Sequence, residues 1–91
     1  MFNINNLSIE IIRILAERGC SESSSVALRC LYQTLCDRRS THEEAMADHD
    51  AGVDYCVING WIKTDLNVPP HVRFTSAGYR RALDLSEAPS L

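Results

Sequence analysis

The 91-residue chain is 45% apolar and 23% charged, with a formal charge of −3; this fits one globular domain over residues 1–91, with its core at 7–86 and a tail at 87–91. Its apolar runs are too short for a transmembrane helix, and no basic stretch leading into a long apolar run marks a signal peptide, so a soluble cytoplasmic protein without a membrane partner is expected. A chain this small buries only about two-thirds of the surface it exposes when unfolded, which favours a homodimer.

Residues 7–18 are predicted as the first helix. Ile9, Ile12 (or Ile11), Leu15 and Ala16 recur at helical spacing, with Glu10, Arg13, Glu17 and Arg18 between them. Asn6 is the expected N-cap and Gly19 the stop. Residues 21–25 form a polar connector that offers another N-cap. Val26, Leu28, Leu31, Tyr32 and Leu35 then lay an apolar stripe along a second helix ending near Arg38 or Arg39. Ser40-Thr41-His42-Glu43 reads as a capping box, and Thr41 with Glu44 offers the same pattern shifted by one. A third helix runs from there toward Asn59, with Met46, Val53, Cys56 and Val57 inward. Residues 48–52 are weak helix formers, so a break or restart is expected at Asp50. Asn59-Gly60 ends the helix.

Beyond Gly60 the apolar period changes from 3.6 to 2. Residues 61–64 read as a short strand and 71–75 as its partner, joined through 65–70, where Pro69-Pro70 keeps the tip out of the ladder. Thr75 or Ser76 then caps a last helix running to about Leu85, with Tyr79, Ala82 and Leu83 inward. The fold class is therefore α+β, mainly α: three helices, a two-stranded hairpin and a closing helix.

The four cysteines, Cys20, Cys30, Cys36 and Cys56, contain no C-x-x-C pair, and His42 and His49 are not four apart. Neither zinc nor a disulfide framework is expected, and the thiols read as reduced and mostly buried. Cys56, His49 and Asp50 are the nucleophile, base and orienter types nearest in sequence. On a continuous helix His49 and Cys56 lie about 10 Å apart, too far for a hydrogen bond. The four glycines are isolated, so no phosphate loop is present. Neither enzymatic activity nor a cofactor is expected; a surface histidine and a buried cysteine account for this pair.

Two stretches carry a resemblance. Asn59-Gly60-Trp61-Ile62 looks like the point where the recognition helix of winged-helix regulators turns into the first wing strand. Phe74-Thr75-Ser76-Ala77-Gly78-Tyr79 looks like the end of that family's second wing strand, with a threonine capping the last helix and a glycine three residues on. Over about residues 7–86 the chain resembles PadR- and MarR-like winged helix-turn-helix regulators, which implies a small transcription regulator that binds duplex DNA. In such proteins the third helix enters the major groove and the wing touches the backbone or minor groove.

Charge distribution complicates that expectation. Residues 41–60 hold five acids (Glu43, Glu44, Asp48, Asp50 and Asp54) and no lysine or arginine. The groove-facing side of such a helix would present His42, Glu43, Ala47, Asp48, Ala51 and Asp54, with Tyr55 further along, where phosphate repulsion outweighs any cytosine contact. DNA would instead be held by Arg38 and Arg39 at the end of the second helix, by His42, and by Lys63, His71 and Arg73 on the wing. Ile62, Val72 and Phe74 take the inward wing positions. Arg80 and Arg81 read as ordinary helix charges, and Trp61 as wing-root core. The alternative is a protein-interaction module whose acidic third helix, through Glu43, Glu44, Asp48, Asp54 and Tyr55, binds a basic or nucleic-acid-handling partner, with Ile58 as a further anchor.

Overall fold

The computed structural model describes residues 3–38, 42–65 and 69–87, with the side chains of 42–47 and 86–87 left out of the description. Four helices and a three-stranded antiparallel sheet follow one another as α1 (Ile4–Glu17), β1 (Val26–Ala27), α2 (Leu28–Arg38), α3 (His42–Ile58), β2 (Ile62–Asp65), β3 (His71–Phe74) and α4 (Ser76–Glu87). The sheet order is β1-β3-β2. Among the described residues no helix is long and apolar enough to cross a membrane.

Helix α1 begins earlier than its periodicity predicts. Asn3, not Asn6, is the cap: its side-chain oxygen accepts from the backbone amides of Asn5 at 3.0 Å and Asn6 at 3.3 Å. Leu7, Ser8, Ile11, Ile12, Ile14 and Leu15 are buried, whereas Ile9 is half-buried and Ala16 exposed. The buried stripe is this broad because α1 packs against α2, α3 and α4 together.

Helices α1 and α3 stop in the same way. Gly19 takes φ 84° and Gly60 takes φ 75°, left-handed values that suit glycine. After α1, Cys20 N donates to Leu15 O at 2.9 Å and Gly19 N to Ala16 O at 3.1 Å; after α3, Trp61 N donates to Cys56 O at 3.0 Å and Gly60 N to Val57 O at 2.9 Å. Both sets are the paired bonds of a Schellman motif. The two expected glycine stops hold.

Strand β1 is a departure from the sequence reading, which gave Val26 to the second helix. Val26 pairs with Val72 and Ala27 with His71, and α2 starts immediately afterwards. The preceding serines fold on themselves, with Ser21 Oγ accepting from Ser23 N and Ser24 N at 3.2 and 2.9 Å.

Helix α3 runs unbroken through residues 48–52, contrary to the expected break. Gly52 faces α1, where a Cβ would come 2.7 Å from Leu7 Cδ2 and 2.8 Å from Ile11 Cδ1. The glycine permits close helix packing, and that packing outweighs its poor propensity. His49, Val53 and Cys56 share the inward face, but Val57 is 39% exposed, which corrects its expected burial. The Met46 side chain lies outside the described residues.

In the hairpin, Ile62 faces Phe74, Lys63 faces Arg73, Thr64 faces Val72 and Asp65 faces His71. Ile62, Val72 and Phe74 are buried, as the alternation implies. Thr75 ties this hairpin to α3 and α4. Its hydroxyl donates to Gly60 O and accepts from Gly78 N, and its amide donates to Trp61 O at 3.0 Å. Ala82 is buried, but Tyr79 and Leu83 are 39% and 44% exposed, so the inward face of α4 is narrower than expected. The helix reaches Glu87 rather than Leu85. Glu87, the first residue of the predicted tail at 87–91, thus belongs to α4, while residues 88–91, the hairpin tip at 66–68 and the capping residues Ser40 and Thr41 fall outside the described residues.

Candidate functional site

The described outer face of α3 is acidic. Asp50, Ala51 and Asp54 are exposed, Asp48 and Tyr55 half-buried. Asp50 is engaged by α2, accepting the Tyr32 hydroxyl at 2.5 Å. Burial raises the Tyr32 pKa, and the hydrogen bond to Asp50 and the charges of Asp50 and Asp54 raise it further. His49, expected at the surface, is fully buried and stacks on Tyr32, with ring centroids 6.0 Å apart and planes 16° apart. The side chains of His42, Glu43, Glu44 and Ala47 lie outside the described residues.

Cys56 is also fully buried. Its Sγ sits 4.0 Å from Ser8 O, and burial pushes its pKa from 9.0 up to about 12, with Arg81 opposing the rise. A thiol held protonated is a weak nucleophile. Cys20 is buried too, Cys36 half-buried and Cys30 exposed. Cys30 corrects the expectation of mostly buried thiols. Among the described residues no group of three His, Cys, Asp or Glu side chains is arranged to hold a metal ion.

Of the basic residues expected to meet DNA, Arg38 is paired within the chain. Its Nη2 lies 2.7 Å from Glu17 Oε2 on the neighbouring α1. An exposed pair of this kind contributes about 0–1 kcal/mol and exchanges readily for another anion. Arg39 lies outside the described residues. His71 is half-buried, with Nδ1 2.8 Å from Pro69 O, so its ring is oriented toward its own loop.

Lys63 and Arg73 are different. Both are exposed, they occupy directly opposed positions on β2 and β3, and among the described residues neither pairs with a carboxylate. Opposed like charges on a hairpin cost stability, roughly 0.2–1 kcal/mol. They flank an open hollow of about 520 Å³ that also takes in Glu22, Thr75, Ser76 and Ala77. Glu22 accepts the Ser76 hydroxyl.

A second hollow of about 420 Å³ adjoins it, sharing Ser76 and Ala77 and lined further by Trp61, Arg80, Arg81 and Asp84. Arg81 lies over the Trp61 ring, 4.2 Å from its centroid, and Tyr55 meets the same ring edge-on at 6.0 Å. Trp61 is half-buried and packs against the core at the root of the hairpin, as expected, with one face taken by Arg81. Sequence reasoning set Arg80 and Arg81 aside. Their nearness to the β2–β3 hairpin follows from the contact of Gly78 with Trp61, and the only local signal for it is the pairing of Thr75 with Gly78. A scan against protein-family models, a search of curated proteins and a search of solved structures each return no match.

Proposed function

We propose that this chain is a winged-helix domain that binds duplex DNA through its wing, acting as a small cytoplasmic transcription regulator. The order helix, strand, helix, helix, hairpin, helix, with β3 between β1 and β2, supports the winged-helix reading. The observation that carries DNA binding is the opposition of Lys63 and Arg73 on the exposed hairpin face without a described carboxylate partner. Two adjacent cations that repel each other gain from a shared anion, and a phosphate backbone supplies one. Arg38 adds to this set on exchanging Glu17 for phosphate, and a homodimer would double it. Gel-shift titration across salt concentrations tests the reading. Lys63→Ala with Arg73→Ala weakens binding and flattens its salt dependence; no retardation of any duplex by the native chain at low salt rejects it.

A second reading rests on a different observation. Ile58, at the end of the acidic helix, is 83% exposed beside half-buried Tyr55. An apolar anchor one turn beyond Asp54, on a helix that also carries Asp48, fits a basic protein partner. Charge reversal at Asp48 and Asp54 then abolishes capture of that partner while leaving the fold intact.

A further inference from the structure

Resting on the DNA reading above, we infer that the duplex lies across β2–β3 and the first half of α4, contacted by Lys63, Arg73, Arg80 and Arg81, with α3 turned away from it. The chain then follows the phosphate backbone and hardly discriminates sequence.

Four of the nine lysines and arginines gather on this surface. Lys63 and Arg73 line one hollow, Arg80 and Arg81 the next, and Ser76 and Ala77 are common to both. Two acids share these walls, Glu22 and Asp84, and Glu22 is bound to the Ser76 hydroxyl. Lys63, Arg73 and Arg80 are exposed. The half-buried Arg81 rests over the Trp61 ring, a contact that restrains its guanidinium and lowers the entropic cost of binding a phosphate.

Helix α3 offers the opposite. No lysine or arginine occurs between residues 41 and 60, and its described outer face carries Asp48, Asp50 and Asp54. Seated in a major groove, those carboxylates would face phosphates on both sides. With α4 and the wing on the duplex, they remain in solvent. Backbone contacts fix position without carrying sequence information, so the affinity is set by the number of phosphates neutralised. Each contributes about −0.9 to the slope of log K against log salt, and three to four cations give a slope of about −3.

The test is fluorescence anisotropy of the full chain with two labelled duplexes of unrelated sequence, over a range of salt. Four proteins are compared: native, Lys63→Ala/Arg73→Ala, Arg80→Ala and Asp54→Ala, each checked for native circular dichroism. Both altered arginine and aspartate sites are exposed, so folding is preserved. The expected results are similar affinities for both duplexes, a several-fold loss with the slope reduced by about one for Arg80→Ala, and no change for Asp54→Ala. An unaffected Arg80→Ala, several-fold tightening by Asp54→Ala, or a strong preference between duplexes overturns the inference, while loss of binding in the wing variant keeps the wing reading. A native chain that binds neither duplex at low salt overturns both.

Discussion

Gly78 sits directly against the backbone of Trp61: a Cβ at position 78 would lie 1.6 Å from the Trp61 carbonyl oxygen. That carbonyl also accepts the Thr75 amide, so it is held in place and has no room to yield. The contact sets the separation between α4 and the end of α3, and thereby brings the α4 arginines beside the hairpin. Gly78→Ala is therefore expected to cost about 3 kcal/mol or more, although alanine is the better helix former. A thermal melt reads this as a clear fall in Tm; an unchanged Tm contradicts the packing.

Thr75→Val keeps the shape but removes both hydroxyl bonds, one to Gly60 O and one from Gly78 N. A lost N-cap of this kind costs about 1–2 kcal/mol. Chemical denaturation of Thr75→Ser, which retains the hydroxyl, should give a midpoint close to native, and Thr75→Val a lower one.

At Gly52, an added methyl would press the Leu7 and Ile11 side-chain ends, which are flexible. Gly52→Ala gains about 1 kcal/mol in helix propensity and loses about 1–3 kcal/mol to overpacking. The net expectation is mild destabilisation, reversed when Leu7 is shortened to Val. Greater stability for the single variant would show that α1 and α3 are not this close.

What was readable in the chain was what the backbone requires locally. Gly19 and Gly60 stop helices because only a left-handed residue closes those bonds, and Thr75 with Gly78 marks a cap and a close approach. Alternation in the hairpin exposed Lys63 and Arg73 for the same local reason. Features whose cause lies far along the chain were not readable. The two residues of β1 are too few to show a period, and their pairing depends on Val72 and His71. Gly52 looks like a breaker until Leu7 and Ile11 are seen against it. His49 looks like a surface histidine until Tyr32 is found stacked upon it, and Arg80 looks idle until α4 is placed beside the hairpin.

Burial of Cys56 links stability to alkaline pH. Its folded-state pKa is raised from 9.0 to about 12, so between those values the unfolded chain releases a proton that the folded chain retains. The stabilisation is complete below pH 9.0 and is lost as pH rises toward 12. Cys56→Ala should reduce the steepness of that alkaline loss. In native thiol labelling near neutral pH, exposed Cys30 reacts first, whereas Cys20 and Cys56 react only after unfolding.

Duplex binding as a function of salt, for the native chain beside Lys63→Ala/Arg73→Ala, tests most directly the proposal that the hairpin is the contact surface. The account requires that the native chain bind at low salt with affinity falling steeply as salt is added, and that the double variant lose both the affinity and about two units of the slope. Equal binding curves for the two proteins would contradict it.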